Sequence, residues 1–562
     1  MRGARGLAIA WLVGCSSVQP RTEVVVHVEA GPSVAMEATL LHVLVRAGPS
    51  RSVDGLVVEL DEDQPLGARG FPFEIGLVPA SGDASRFFEV TATARRADGT
   101  DIVSTRLTSG YVAGMTLLAV VRLEDACRGV ICAAELSCHM AECNSAFVEP
   151  ATELPFVQMP TAQATLLPSD GAAGDQFGSS VSLSADGMRA LVGAVLDDTA
   201  GGTDSGSAHV FVRTGGRWTE EAALVPSDVE AGDAFGVSVA LSADGSWALV
   251  GANTDDTAGG MDAGRAHVFE RVGTTWTQQA TLLASGGAAG DYFGASVALS
   301  SDGARALVGA YGDRLAGTNA GSARVFVRTG TTWTEEAALL ASDGAADDWL
   351  GASVALNSDG SRALVGALYD DTARGMDAGS AHVFARSGTT WTEEATLLAA
   401  RGAAGDHFGW AVALSADGSR ALVGAAWEDS VGTAAGSARL FLRTRTTWAG
   451  EVTLLAAAGS GYDYFGWSVA LSSEGDRALV GALLDETPGS PSVGGSVRVF
   501  RRVGTTWTEE ATLSTGGGGS EKHFGFSLAL SADGREALVS VNLDDNARGI
   551  DSGSATVFTL PP

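Results

Sequence analysis

The chain has 562 residues, 45% of them hydrophobic and 74 of them glycine, which fits a β-rich folded protein and excludes a disordered one. Against 36 Lys and Arg stand 67 Asp and Glu, a formal charge of −31, and Lys522 is the only lysine. That balance excludes nucleic acid and anionic membrane surfaces as direct ligands of the folded part.

At the start, Arg2 and Arg5 precede an apolar run, Leu7 to Val13. It is too brief to span a bilayer and has the build of a secretory signal over residues 1–14. The run ends Leu12-Val13-Gly14-Cys15, which resembles a bacterial lipobox. The resemblance implies cleavage before Cys15, acylation of its thiol and a lipidated tether over 15–21. With Ser16 and Ser17 following, it also implies export to the outer membrane or cell surface of a Gram-negative bacterium. Several acyl chains on one residue anchor a protein stably. The plainer alternative is an unmodified cysteine in an ordinary signal peptide. Cysteine arithmetic favours the lipid: five is odd, and giving Cys15 to an acyl chain leaves Cys127, Cys132, Cys138 and Cys143. Their C-x4-C-x5-C-x4-C spacing predicts two disulfides in a small module over 125–145, with three pairings open. A zinc site would want C-x2-C pairs, which are absent.

Between tether and module, residues 22–124 carry alternating runs such as Val24/Val26/Val28, Phe88/Val90/Ala92 and Leu117/Ala119/Val121/Leu123. These predict a small β-sandwich, immunoglobulin-like or transthyretin-like. Pro150, Pro155 and Pro160 then make residues 146–161 a semi-rigid linker.

Over residues 162–562 a block of about 58 residues recurs seven times. Its anchor is Phe-Gly, at Phe177, Phe235, Phe293, Phe408, Phe465 and Phe524, with Leu350 in the fourth copy. Each copy reads as four strands. Phe235 to Ser242 alternates bulky and small side chains, the period of a strand. An Asp-Gly pair, as in Asp244-Gly245, predicts a two-residue hairpin with both residues at positive φ. The next segment, R-A-L-V-G-A, is apolar on both faces and predicts a buried central strand. An acidic loop leads to the third strand, as at Gly206 to Arg213, and a short turn to the fourth, W-T-E-E-A-T-L-L, whose Thr and Glu suit an outer, wetter position. Downstream of Phe177 there are only six fourth strands; the seventh, Gln163 to Leu167, precedes the first Phe-Gly. This permutation predicts an all-β, seven-bladed propeller closed by its N-terminal strand.

The Phe-Gly pairs, the Gly-Ala that ends the second strand (Gly193-Ala194, Gly251-Ala252 and equivalents) and the G-S-A-x-V-F third strand resemble the FG-GAP repeat of integrin alpha subunits and bacterial surface proteins. Integrin-type repeats often carry a calcium loop of the D-x-D-x-D-G kind between the first two strands. Here that turn is S-A-D-G with one carboxylate, too few oxygens for calcium, so no cofactor is expected there.

In such a ring the long acidic loops and the links between blades share one face. That face holds Asp197/Asp198, Asp255/Asp256, Asp370/Asp371 and their equivalents; the other holds Arg189, Arg305, Arg362, Arg420 and Arg477, so a polarised ring is expected. Aspartates in loops of this kind bond their own backbone and form turns. The alternative is calcium, held by Asp197, Asp198 and Asp204, by Asp255, Asp256 and Asp262, or by Asp370, Asp371 and Asp377. His209, His267 and His382 share one third-strand position and read as packing residues, not ligands.

Aromatic residues break the repeat in copies three to six. Tyr292, Trp349, His407 and Tyr464 stand before Phe-Gly, where the first two copies have Gln176 and Ala234; Tyr311, Tyr369 and Trp427 follow Gly-Ala, and Trp410 and Trp467 follow Phe-Gly. They fall along one arc of the acidic face, either as filling between blades or as a platform for a glycan or a cationic protein segment. Two function classes follow. One is a lipid-anchored extracytoplasmic binding or adhesion protein, its propeller recognising a protein or glycan and only its anchor touching the membrane. The other is a propeller enzyme acting on polysaccharide, a lyase or glycosidase. Catalysis needs a unique acid and base constellation, whereas these acids repeat in nearly every copy, which favours binding.

Overall fold

The computed structural model describes residues 8–10, 23–30, 40–48, 57–65, 73–78, 87–97, 101–110, 116–123, 136–139, 142–145, 157–158 and 160–561, the last span without 430–431, 457–459, 486–493 and 515–521. Strands are the only regular elements among them, and the chain divides into two units that meet in sequence at Met159 and Pro160.

The N-terminal unit holds two main sheets. One has the order Ala8–Ala10, Phe73–Val78, Glu23–Ala30, Thr116–Leu123, Val157–Gln158; the other has Val57–Pro65, Leu40–Gly48, Phe87–Arg95, Asp101–Gly110. Period-2 alternation accounts for the second sheet: Leu41, Val43 and Val45 lie opposite Ala94, Ala92 and Val90, and all six are buried. Ala8–Ala10, within the apolar run read as an export signal, pair with Gly76–Val78 at a sheet edge, and Val157–Gln158 of the expected linker pair with Leu117–Leu118. Cys15, Cys127 and Cys132 lie outside the described residues. Cys138 and Cys143 are partners in the register of a two-stranded ribbon, Leu136–His139 with Glu142–Ser145.

From Pro160 the chain forms seven four-stranded antiparallel blades. Blade one runs Phe177–Leu183, Arg189–Ala194, Ser207–Thr214, Arg217–Leu224 from inside to outside. In blade seven the outer strand is Thr161–Leu166, paired with Ser554–Thr559, so both ends of this unit share one sheet and the ring closes as the strand count requires. The second strands are buried almost throughout and the fourth are partly exposed, as their compositions dictate. Gly193 is needed because adjacent blades nearly touch: a Cβ there would lie 2.0 Å from the carbonyl oxygen of Gly236. Each anchor phenylalanine is fully buried, and Phe177 meets Phe211 edge-on at 5.9 Å.

Two turns exchange the roles expected for them. The Asp-Gly turn is a four-residue loop closed by Ser184 and Arg189, with only the glycine left-handed, at φ 67° for Gly187. The Asp186 carboxylate accounts for this, since it accepts hydrogen bonds from Ser184 Oγ at 2.6 Å and from the Met188 N–H at 2.9 Å, stabilising the wider loop. The two-residue hairpin sits instead between third and fourth strands, where Gly215 and Gly216 join paired Thr214 and Arg217 and both have positive φ.

The expected polarisation is also modified. Arg189 pairs with Glu221 at 3.0 Å, Arg305 with Glu336 at 3.3 Å and Arg362 with Glu394 at 2.9 Å, so the arginine face is largely neutralised. A register shift between Val210 and Phe211 leaves Glu221 unpaired on the fourth strand, and its carboxylate turns to the next blade. There it meets Arg271 at 2.7 Å and Trp276 Nε1 at 3.1 Å, a clamp between blades one and two.

Candidate functional site: an aromatic arc

The position before Phe-Gly has positive φ in all seven blades: Gln176, Ala234, Tyr292, Trp349, His407, Tyr464 and His523 lie between 52° and 58°. The backbone imposes it, because each blade is stitched to the loop of the one before. Tyr292 N–H donates to the Asp262 carbonyl at 3.1 Å, and Trp349 N–H to the Asn319 carbonyl at 3.2 Å. Left-handed backbone brings Cβ too close to the following carbonyl, so aromatic residues here carry strain that glycine alone avoids.

The structure brings every aromatic residue singled out in the sequence into one chain of ring contacts. Tyr292 stacks on Tyr311 with centroids 4.9 Å apart, and Tyr311 stacks on Trp349 at 4.8 Å across the boundary to blade four. Trp349 meets Tyr369 edge-on at 4.8 Å, Tyr369 meets His407 at 4.8 Å, and His407 meets Trp427 at 5.1 Å. Trp427 touches Tyr464 at 5.3 Å and Trp410 at 4.5 Å, and Trp410 touches Trp467 at 4.7 Å. The arc continues through Phe526 to His523 in blade seven, two residues the sequence reading left out. Their signal was present: His523 stands before Phe-Gly as Tyr292, Trp349, His407 and Tyr464 do, and the residue after Phe-Gly is aromatic in blades five, six and seven, as Trp410, Trp467 and Phe526.

All these rings are half-buried. At one end Tyr292, Tyr311, Trp349, Arg314 and Asn319, with Gly290 and Gly312, line an open pocket of about 310 Å³. Burial, with Tyr292 and Asp262 alongside, pushes the Tyr311 phenol up to about 12, so it stays a donor. Burial lowers His407, which favours neutral imidazole, and its buried Nδ1 finds no partner among the described residues.

Carboxylates underlie the arc. Asp291, Asp348 and Asp406 are buried beside the strained positions, and each accepts the N–H of the residue three earlier, at 2.7, 2.5 and 2.6 Å. Burial is the main reason Asp348 and Asp406 rise to about 6, with neighbouring loop acids adding to it against those hydrogen bonds.

The aspartates considered for calcium take separate roles. Asp198, Asp256 and Asp371 accept the backbone N–H groups of Asp204, Asp262 and Asp377 at 2.9, 2.9 and 2.8 Å, which are loop caps. Asp255 and Asp370 are buried, while Asp197 is half-buried. Among the described residues the His, Cys, Asp and Glu groups with converging ligand atoms are Asp170/His209/Glu220 and Asp343/His382/Glu393, and neither contains one of these triplets. His209 and His267 do pack edge-on against Phe177 and Phe235, at 5.6 and 5.5 Å, but His209 and His382 also enter these polar clusters.

Seven blades, the velcro-type closure and a contact arc on one sector define a β-propeller of the repeat class. The FG-GAP repeat family matches residues 160–211, 218–269, 276–326, 333–384, 391–441, 448–500 and 507–558, and the chain belongs to that family. Each matched repeat spans the outer strand of one blade and inner strands of the next, the same offset that closes the ring. No curated protein matches the chain. Among solved structures, the WD40 repeats of RRP9 are similar at 11% identity and TM-score 0.45, over 72% of this chain and 99% of that one. The periplasmic gluconolactonase PpgL of Pseudomonas aeruginosa is similar at 16% identity and TM-score 0.40, over 61% and 86%. Likeness at this level carries nothing about ligand or reaction.

Proposed function

We propose that this chain is a lipid-anchored, extracytoplasmic binding or adhesion protein whose propeller recognises a protein or glycan along the aromatic arc. The observation that carries the reading is the unbroken run of half-buried rings from Tyr292 to His523 on one sector, while blades one and two have Gln176 and Ala234 at the equivalent positions. Filling between blades does not require this, since blades one and two close without it. Aromatic faces bury large area at small entropic cost and suit sugar rings or extended protein segments. The FG-GAP match points to no reaction, and the acids near the arc are caps and buried supports, which favours binding over hydrolysis.

The test is binding of the full chain to a panel of polysaccharides and envelope proteins, followed by Trp349→Ala and Trp427→Ala. A saturable ligand weakened at least tenfold by either change supports the reading. A ligand bound equally well by both variants removes the arc from consideration.

A further inference from the structure

Two positions vary together from blade to blade. Where the third strand carries histidine, at His209, His267 and His382, the link passing that blade carries aspartate, at Asp170, Asp228 and Asp343. Where it carries arginine, at Arg324, Arg439 and Arg498, the same link position is Gly286, Arg401 or Ala458. Arginine supplies its own charge to the carboxylates around it. Arg324 reaches Asp313 at 2.5 Å and Glu335 at 2.9 Å, and Arg498 reaches Asp485 at 2.8 Å and Glu509 at 3.0 Å.

In blades one and four the fourth-strand glutamate is kept, the link adds a second carboxylate, and arginine is gone. His209 Nδ1 lies 2.8 Å from Glu220 Oε1 and 4.0 Å from Asp170 Oδ1. His382 Nδ1 lies 2.9 Å from Glu393 Oε1, and Asp343 completes the same triangle, its ligand atoms all within 4.8 Å of one another. The far nitrogen is already engaged: His382 Nε2 is 2.8 Å from Ser380 Oγ, whose hydroxyl is bonded to Asp370. An ionised carboxylate only accepts, so the serine proton goes to Asp370 and Nε2 donates to the serine oxygen. That leaves Nδ1 facing two carboxylates, an arrangement completed by a cation.

We propose that Asp170, His209 and Glu220 in blade one, and Asp343, His382 and Glu393 in blade four, each bind a zinc ion, with water completing the coordination. One imidazole and two carboxylates suit zinc, whereas calcium and magnesium take oxygen alone. The histidine-to-serine contact is the outer hydrogen bond that orients a ligating imidazole. His209 is 1% exposed and Asp170 is 61% exposed, so the cluster opens to solvent on the aspartate side. Blade two is a built-in control: Gln278 replaces the glutamate, and Arg265 lies 3.2 Å from both Asp228 and Asp255, so arginine again brings the charge. In blade one the ion ties the link that follows the closing strand, Thr161–Leu166, to the third and fourth strands beside it.

The experiment is zinc uptake by the full chain after chelation and dialysis, measured by calorimetry and metal analysis, for wild type, Glu220→Gln, Glu393→Gln and the double variant. Glutamine copies blade two, so the fold already tolerates it. Wild type is expected to bind two more ions than the double variant and each single variant one fewer than wild type; any zinc on the four cysteines of residues 125–145 cancels. Zinc should raise the melting temperature of wild type and not of the double variant. Equal uptake by wild type and the folded double variant overturns the proposal. Should the double variant fail to fold, Arg265→Ser with Gln278→Glu decides: one additional ion supports the site, and none overturns it.

Discussion

Tyr311 and Trp349 stack across the boundary between blades three and four, centroids 4.8 Å apart and planes 22° from parallel, although 37 residues and two strands separate them in the chain. The pair unites two sequence positions that the repeat keeps apart, the end of a second strand and the approach to an inner one. Tyr292 extends the stack at its other side, and the three rings wall the pocket. Tyr311→Ala should lower affinity for an arc ligand more than Tyr464→Ala does, because it breaks the stack in its middle and opens the pocket. Titration of both variants against the same ligand checks the order.

Trp349 has a left-handed backbone at φ 58°, which costs a non-glycine residue roughly 1 kcal/mol. Trp349→Gly removes the ring and that strain together, whereas Trp349→Ala removes only the ring. The glycine variant is expected to melt above the alanine variant while both lose ligand binding to the same extent. If the two melt alike, strain at this position does not shape the stability of the ring.

Buried acids set the pH response. Asp255 is pushed from 3.8 to about 7, chiefly by burial with Asp233 adding to it, against the opposing charge of Arg265. A group raised in the folded state contributes stability that is fully present below its unfolded value and lost as pH rises through its folded value. Asp348 and Asp406, at about 6, act with the same sign. Glu393 is the opposite case: burial raises it, but hydrogen bonds from His382 and the Ser342 N–H outweigh burial and bring it to about 2, so its contribution is lost as pH falls from 4.5 through 2. Melting temperature should therefore fall as pH rises from about 4.5 to about 7, and fall less in Asp255→Asn. Parallel curves for the two proteins would show that Asp255 is not responsible.

Glu221 holds Arg189, Arg271 and the Trp276 N–H and is itself 6% exposed. Glu221→Ala strands two guanidinium groups at the seam between blades and should cost about 3 kcal/mol, measured by urea unfolding. Glu221→Gln should cost less, since blade two folds with Gln279 at the equivalent position.

Cys138 and Cys143 are register partners one step beyond His139 and Glu142, a pair that two residues of sequence connect. Such a connection closes on a hydrogen-bonded pair, so the cysteines form the next, non-hydrogen-bonded pair, with Cα atoms about 4.5 Å apart, inside disulfide range. Non-reducing peptide mapping should find Cys138 joined to Cys143 and Cys127 joined to Cys132. A bridge between the two halves of the module would contradict the register.

The seven blades, the burial of R-A-L-V-G-A and closure by Thr161–Leu166 were all legible in the sequence, because each follows from periodicity and strand count. The aromatic positions were legible as departures from a repeat whose register is fixed. Three things were not. The Asp-Gly turn widened because a side-chain carboxylate competed with backbone geometry. Glu221 became a clamp through a one-residue shift in strand pairing, which changes the direction of a side chain without changing composition. Asp170 met His209 and Glu220 because the link from blade seven crosses blade one, and only the closed ring places that link there. The sequence by itself determined the repeating unit and its number, since hydrophobic periodicity acts within each strand. The tertiary structure decided which charged and aromatic groups converge, since those distances arise between neighbouring blades.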